Sequence, residues 1–404
     1  MRVPASQIRQ QLESVLRAWG MSEAHAVTTA EMMVETDLRG VDSHGISMLP
    51  TYDREFQAGR LNMRPVFKSV RESPATALID ADASLGHPVS VHGMNLAVDK
   101  CLVSGVGVVG VFNSHHFGAA GCYARLAAER GVVGMVTSAT RGVTMVPTFA
   151  AEPILGTNPI AFAAPTKRNP PFQLDMATTT VAAGKVKVYK LNHKPLPAGW
   201  VVDGDGRTVT EPERAFEQVF DRPDGGITPL GGTRDAGSHK GYGLAVMVHI
   251  LAGTLCGASF SPIRNRTQGP SDPHNIGHFF LAIDPRAFRG EGEFEDDLDA
   301  VIDVLRGAKR ADPGQPVLVA GDPEMATREE RLRAGVPVPD DLMDQLRTVA
   351  KSAGVPFVWR ASRSSTDRPQ HERRRVSNER DEEGGDRHGS RQRHRQGERA
   401  RPPA

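Results

Sequence analysis

The glycine pattern at residues 105–110, Gly-Val-Gly-Val-Val-Gly, is the feature that most constrains how this chain can fold. It matches the G-x-G-x-x-G fingerprint of dinucleotide-binding domains, which requires a strand before the glycines and a helix after them. Here the order is reversed, because a helical segment (87–104) precedes the glycines and an apolar run (106–112) follows them. The glycines are therefore predicted to end a helix and begin a buried strand, and are not interpreted as a phosphate-binding loop.

The same strand leads to the first candidate functional residue, His116. Polar residues and His115 follow the apolar run, and a helix is predicted from Gly118 to a C-terminal glycine, Gly131. His116 then lies at a helix N-terminus, where free N–H groups favour an anion and an imidazole can exchange a proton with a carboxylate-bearing substrate. The alternative, that a polar histidine merely ends the strand, stays open on this segment alone.

The near-zero net charge of the chain conceals a difference between its two parts. The 404 residues include 49 Lys and Arg and 48 Asp and Glu, a formal net charge of +1. The segment 362–404 is almost entirely polar and charged, so it cannot bury enough surface to order itself and is predicted to be disordered. Its arginines alternate with acidic residues and the rest of the chain is mildly acidic, so no nucleic-acid partner is expected.

Cysteine usage and hydropathy limit the cellular compartments in which this protein is expected. Three scattered cysteines without a C-x-x-C pair predict neither a disulfide framework nor a zinc site. The N-terminus lacks the apolar core of a signal peptide, and no apolar run is long enough to span a bilayer. The longest apolar run, 244–255, is interpreted as a buried helix. A cytoplasmic location is therefore expected, with no membrane partner.

Strands and helices alternate along the chain, which predicts an α/β protein. A helical hairpin is expected over 6–39, with Ser6 and Ser22 as N-caps. We divide the chain into a helical region (1–74), an α/β domain (75–290), C-terminal helices that pack back on the first region (291–361), and the tail (362–404). The remaining elements are predicted as strands at 75–82, 106–112, 131–137 and 275–284, a short strand within 172–180, and helices near 291–307, 324–333 and 340–353.

Four further residues combine polar chemistry with an unusual position in the predicted elements. Asp175 ends an apolar strand, where a carboxylate is costly unless it is paired or used. Lys240 is placed at the start of an apolar helix, where it opposes the helix dipole unless an anion binds there. Ser43 and His44 precede the flexible Gly45, but neighbouring side chains point apart, so a nucleophile pair is disfavoured. A histidine in a capping turn is an equally open interpretation.

Six segments, taken in order, resemble the type 2 malate/L-lactate dehydrogenase family, which includes ureidoglycolate and sulfolactate dehydrogenases and a cyclic-imine carboxylate reductase. The resemblance covers residues 1 to about 357. The segments are RGVDSHGISMLPTY (39–52), NSHHFGAAGCYA (113–124), LGTNPIAFAAP (155–165), LDMATT (174–179), HKGYGL (239–244) and NIGHFFLAID (275–284).

The resemblance implies a mixed-sheet α/β (α+β) fold that is not of the Rossmann type, with a helical N- and C-terminal domain. It also implies hydride transfer with NAD or NADP and a homodimer whose active sites lie near the subunit boundary. His116 would be the acid/base, with Ser43 and His44 as substrate-site or relay residues and Asp175 as their possible carboxylate partner. The implied cofactor contacts are Thr140, Asp175, Met176, Ala177, Lys240, Asn275 and Gly277; Tyr52 and Asn158 are the implied substrate contacts, and no metal is expected.

The chain departs from the family pattern at two places, and the first of them bears on the substrate. Met48 stands where many members have an arginine suited to a substrate carboxylate, and Thr148 to Ala150 replace a common Gly-Gly turn. The expected reaction interconverts a small 2-hydroxy acid and its 2-oxo acid. Reduction of a cyclic imine carboxylate on the same scaffold is the alternative enzyme, and a catalytically silent binding protein is the alternative from another class.

Overall fold

The computed structural model describes residues 1–359, and the predicted disordered tail lies outside these residues. A seven-stranded mixed sheet forms its centre, in the order β2-β3-β4-β10-β5-β6-β7, with two additional two-stranded pairs, β1-β11 and β8-β9. The strands are β1 Arg2–Val3, β2 Lys68–Glu72, β3 Thr76–Asp80, β4 Val106–Ser114, β5 Val133–Ala139, β6 Ile160–Ala164, β7 Phe172–Met176, β8 Val201–Val202, β9 Gly226–Ile227, β10 Ile276–Ile283 and β11 Val336–Pro337.

Helices cover the sheet and build a separate layer from the two ends of the described chain. None of the helices within residues 1–359 is both long enough and apolar enough to cross a membrane. The helices are α1 Ala5–Ala18, α2 Glu23–Leu38, α3 Leu49–Gln57, α4 Gly86–Ser104, α5 Gly121–Glu129, α6 Ala183–Leu191, α7 Pro212–Phe220, α8 Ser238–Val248, α9 Ser261–Arg264, α10 Glu293–Arg306, α11 Asp322–Ala334 and α12 Asp340–Ser352.

The predicted mixed-sheet architecture is confirmed, and the reversed glycine fingerprint has the expected structural role. β3 and β4 are parallel, while every other pair in the seven-stranded sheet is antiparallel. A parallel pair needs a crossover, and α4 supplies it. Gly105 ends α4 in the left-handed conformation (φ 78°), and a side chain at Gly107 would overlap the carbonyl oxygen of Ala97 on α4. These glycines therefore let β4 lie directly against α4.

Two apolar cores organise the described chain. The first joins the sheet to α4 and α5 and includes Val109, Val111 and Phe280. The second joins α1, α2 and α3 to α12, and includes Tyr52 from the N-terminal part and Leu346 from the C-terminal part. β1 pairs with β11, so the two ends of the described chain meet in this helical layer. α3, which carries Tyr52, is thereby packed between the two ends.

Some predicted boundaries are wrong in detail. Ser22 caps α2 as predicted, but α1 begins after Pro4, so Ser6 lies inside the helix. α5 begins at Gly121, because Gly118 adopts a left-handed turn (φ 76°) first. The segment predicted as a buried helix is α8 continuing into a π-helical stretch over His249–Thr254, and Ile250 is 53 % exposed there. Strand β2, exposed along its whole length, was missed because it has no apolar alternation.

Candidate functional site

A cavity of about 590 Å³ brings together segments that are far apart in sequence. Its walls come from the 36–61 region, the turn between β4 and α5, the ends of β5 and β7, and the stretch 182–184. Of the predicted site residues, the cavity lining contains Ser43, His44, Tyr52, His116, Thr140, Asp175, Met176 and Ala177.

His116 faces this cavity with one ring nitrogen already engaged. Its Nδ1 lies 2.7 Å from the Tyr52 hydroxyl oxygen and 3.3 Å from the backbone nitrogen of Gly118. The Gly118 N–H donates to Nδ1, and a bare Nδ1 can accept from the Tyr52 hydroxyl as well, which places the ring proton on Nε2. A protonated Nδ1 can instead donate to the Tyr52 oxygen, but it then loses the longer bond from Gly118. Nε2 has no hydrogen-bond partner among residues 1–359 and is not enclosed by them, which leaves it accessible from the cavity.

Tyr52, which the resemblance implied as a substrate contact, is thus the hydrogen-bond partner of His116. The turn before its helix is held by Asp37, whose carboxylate accepts from the Ile46 backbone N–H at 2.8 Å. A side chain at Gly45 would overlap that carboxylate, so glycine is required for the turn to approach α2. Burial raises the pKa of Asp37 to about 8 and raises the pKa of Tyr52, so the phenol stays protonated.

His44 lies beside His116, with ring centroids 5.4 Å apart, and its Nδ1 is 2.7 Å from the Ser43 hydroxyl. The pair therefore lines the cavity next to the proposed acid/base. Desolvation lowers the pKa of His44 and holds the pKa of His116 well below its ordinary value, an effect that His44, His87 and His278 strengthen. His116 is accordingly neutral at neutral pH and suited to accept a proton.

Asp175 fills the anion position that the sequence predicted near His116. Its carboxylate accepts from the Gly121 backbone N–H at 2.7 Å, at the first residue of α5. The carboxylate of Asp175 therefore interacts favourably with the dipole of α5, in the place of an anion from a ligand. Burial raises the pKa of Asp175 to about 6. No hydrogen bond joins Asp175 to His44 or His116 in the described structure, so the implied carboxylate partnership is not formed here.

Asn158 acts from behind the cavity wall. Its Oδ1 accepts from the backbone nitrogen and hydroxyl of Thr140, at 3.2 and 3.1 Å, and its Nδ2 donates to the Ala245 carbonyl at 2.9 Å. Asn158 is buried and does not line the cavity. It therefore positions Thr140, which does line it.

Three implied cofactor contacts lie outside the cavity lining. Lys240 is exposed near the start of α8. Asn275 accepts from the Asn113 backbone N–H at 2.7 Å and donates to Ser259 at 3.0 Å, linking two loops. A side chain at Gly277 would overlap the Ala252 carbonyl, so this glycine lets β10 pass the π-helical stretch. The structure gives Asn275 and Gly277 structural contacts.

The cavity lining also contains residues that sequence reasoning missed: Glu55, His274, Arg39 and Arg141, together with His115. The ligating atoms of Glu55, His115 and His274 lie within 4.8 Å of one another, a spacing compatible with a metal ion. Glu55 is, however, bound to Arg60 at 2.9 Å and to His274 at 3.2 Å. Arg60 places positive charge at the potential ligand, which disfavours a cation. The helical spacing of Met48, Tyr52 and Glu55 could have indicated their common face.

The buried histidines predict that acid destabilises the fold. Burial lowers the pKa of His87, His115 and His278 to about 3, so below pH 6.5 the unfolded chain binds protons that the folded chain does not. The raised pKa values of Asp37 and Asp175 oppose this effect, but the histidines outnumber them. We expect the free energy of unfolding to fall by about 1–2 kcal/mol between pH 6 and pH 5. Urea unfolding at both pH values measures it; equal or greater stability at pH 5 would contradict the expectation.

The site thus belongs to a class built around a cavity-facing neutral imidazole that can transfer a proton. Comparison with known proteins then identifies the family: the model for malate/L-lactate dehydrogenase matches residues 3–347. The chain belongs to the malate/L-lactate dehydrogenase family.

Individual relatives are similar to this protein in sequence and structure over most of the chain. It is 38 % identical to a malate dehydrogenase of Pyrococcus horikoshii over 357 residues, 88 % of this chain and 96 % of the relative. A malate dehydrogenase structure from Entamoeba histolytica matches with a TM-score of 0.84 and 30 % identity, covering 89 % of this chain and 99 % of that one. A Δ1-piperideine-2-carboxylate reductase structure from Pseudomonas syringae matches with a TM-score of 0.74 and 28 % identity, covering 87 % and 100 %. The expected enzyme class, a 2-hydroxy acid dehydrogenase, is thereby confirmed.

Proposed function

We propose that this protein uses a nicotinamide nucleotide to interconvert a small 2-hydroxy acid and its 2-oxo acid, with His116 as the acid/base. The observation that carries the proposal is the cavity-facing Nε2 of His116, whose opposite ring nitrogen is held by Tyr52 at 2.7 Å. A ring fixed at one nitrogen presents the other in a constant direction, as proton transfer requires.

The residues around His116 support proton transfer in both directions. When Nδ1 donates to Tyr52 and gives up the 3.3 Å bond from the Gly118 N–H, Nε2 is bare and can take the hydroxyl proton of the hydroxy acid. The desolvation that lowers the pKa of His116 keeps it in this basic form before substrate binds. A bound 2-oxo acid brings a carboxylate close, and this negative charge favours the imidazolium that donates the proton back.

The cavity also fits a nicotinamide group. Its volume of about 590 Å³ is far larger than a three- or four-carbon acid needs, and one wall carries only small side chains, Ala182, Ala183 and Gly184. When bound, the nicotinamide supplies the hydride acceptor or donor. We propose that Thr140, Asp175, Met176 and Ala177 hold it, with either NAD or NADP as the nucleotide.

A panel of acids and nucleotides tests this function directly. We expect the purified protein to oxidise NADH or NADPH with at least one of pyruvate, oxaloacetate and 3-sulfopyruvate. The reaction is measured as the loss of absorbance of the reduced nicotinamide. The expected values of kcat/KM lie in the common range, about 10⁴–10⁸ M⁻¹s⁻¹. Absence of turnover with every acid and both nucleotides would contradict the proposal.

The matched imine reductase structure supports a second candidate on the same site. A cyclic imine carboxylate needs the same hydride geometry, but the proton from His116 goes to nitrogen. Adding Δ1-piperideine-2-carboxylate to the panel separates the two, because the preferred substrate has the higher kcat/KM. Turnover of neither class would leave the silent binding protein as the interpretation.

We also propose a homodimer in a reducing compartment, the cytoplasm. Exposed apolar side chains at Met247, Ile250 and Leu255, along α8 and its π-helical extension, offer a surface for a second copy. The three cysteines are buried and unpaired, as a reducing environment would maintain them. Size-exclusion chromatography with light scattering tests the dimer.

A further inference from the structure

The two arginines that line the cavity differ in what they already bind. Arg39 donates to Glu35 at 2.7 Å and to Gln173 at 3.0 Å, so its charge is used within the protein. Arg141 has no comparable partner among residues 1–359, and its Nε is buried without a hydrogen bond. No lysine lines the cavity within the described chain. Arg141 is therefore the cation that the cavity can offer to a ligand.

A second arginine, Arg264, also has a buried donor without a partner in the part of the chain that the structure describes. Nη1 of Arg264 is also buried without a partner in the described structure. Burial, together with the charges of Arg141 and Arg60, lowers the pKa of Arg264 to about 10. The Ser261 hydroxyl donates to the Arg141 carbonyl at 2.8 Å and so ties the α9 segment to the cavity wall.

These unpaired donors are costly unless an anion satisfies them. A buried guanidinium N–H that lacks an acceptor loses its hydration without compensation. The carboxylate of Glu55, whose charge acts on Arg141, is already shared between Arg60 and His274. The described residues thus leave Arg141 Nε without an acceptor, which a molecule in the cavity can supply.

The other lining residues make this need specific to the substrate. Met48 lines the cavity one helical turn before Tyr52, and its thioether cannot bind a carboxylate. His44, His115 and His274 cannot supply a lasting positive charge, since desolvation lowers the pKa of each. A 2-oxo acid nevertheless carries a carboxylate next to its reacting carbon.

We propose that Arg141, supported by Arg264, binds the carboxylate of the substrate and so performs the role that Met48 cannot. The inference rests on the proposed function, since it names the residue that recognises the acid at that same site. Arg141 is the specificity-determining contact, and Arg264 is a positioning residue that keeps the guanidinium directed into the cavity.

Steady-state kinetics of Arg141→Met test the proposal. Loss of a charge-assisted hydrogen-bond pair should raise KM for the 2-oxo acid about 10- to 100-fold, while KM for the reduced nucleotide stays within about twofold. Arg141→Lys should recover part of the loss, and Arg264→Gln should cause a smaller rise. The matched control is Arg266→Met, which removes the same charge from an exposed position two residues beyond Arg264.

The opposite pattern would overturn the proposal. A raised KM for the nucleotide with an unchanged KM for the acid would place Arg141 in the cofactor site, and unchanged values of both would remove it from ligand binding. Circular dichroism and thermal unfolding establish that each variant is folded. Should Arg141→Met fail to fold, Arg141→Lys and Arg264→Gln carry the test: unchanged KM for the acid in both would overturn it.

A binding measurement separates this inference from the proposed function. Calorimetry of oxamate, a non-reducible analogue of pyruvate, is performed on each folded protein with reduced nucleotide present. Binding by the unmodified protein that weakens about 10- to 100-fold in Arg141→Met supports the anion site even if no acid is turned over. Absence of oxamate binding by the unmodified protein, or equal binding by the variant, overturns it.

Discussion

His116→Ala should lose about 10²–10⁴-fold in kcat, the usual contribution of a positioned acid/base. The variant should still bind reduced nicotinamide nucleotide with a Kd within about twofold of the original, because the predicted nucleotide contacts lie on Thr140 and the 175–177 segment. Steady-state rates and quenching or enhancement of nucleotide fluorescence measure the two quantities separately. The split between them distinguishes a proton-transfer role from a structural one.

Two further variants sharpen this experiment. Tyr52→Phe removes the hydroxyl that holds Nδ1 of His116 at 2.7 Å and should lower kcat less, with a displaced pH profile. His193→Ala removes an exposed imidazole whose Nδ1 lies 3.0 Å from a carboxylate oxygen of Glu213, and it should leave turnover unchanged. Substantial turnover by His116→Ala would exclude it as the acid/base.

Gly277→Ala should destabilise the fold by about 1–3 kcal/mol or more, the usual cost of forcing an extra methyl group into a packed interior. The added carbon would overlap the Ala252 carbonyl, which is backbone and cannot turn aside. Urea unfolding measures the loss. The family resemblance made Gly277 a cofactor contact, so the alternative outcome is a fully stable protein with a raised KM for the nucleotide.

Gly243→Ala is the matched control for this substitution. Gly243 lies within α8, and a side chain there would meet nothing within 4 Å. Replacement of a helical glycine by alanine should stabilise the fold by about 0.5–1 kcal/mol. If the free energy of unfolding falls in Gly277→Ala and rises in Gly243→Ala, the loss at Gly277 comes from the close approach of β10 and the π-helical stretch. It does not come from replacing glycine by alanine as such.

Local periodicity predicted most of the elements but not their arrangement. The apolar run 106–112 is β4, and the helix predicted before it is α4. A continuous apolar run and a helix that ends at a glycine can both be recognised from local sequence. The order of the strands is not readable in this way, since β10 inserts between β4 and β5 from far along the chain. Exposed β2 carries no alternation at all. The domain boundaries at residues 74 and 290 stay predictions.

The site was predicted through motifs, and its internal pairings were not. His116, Ser43, His44 and Asp175 do line one cavity. The partner of His116 could not be inferred, because Tyr52 is 64 positions away and reaches it only through the packing of α3. Arg141 gave no signal, since an isolated arginine after a strand is ordinary until its neighbours are known.

The pairing of β1 with β11 has a consequence for how a working molecule comes into being. A growing polypeptide acquires the cavity-lining side chains by Glu324, yet the helix bearing Tyr52 is still without the packing that Leu346 and its neighbours supply. Activity should therefore arise only after the ribosome has completed α12. An mRNA truncated just before the codons for α12 would encode every cavity-lining residue and yet produce an inactive protein.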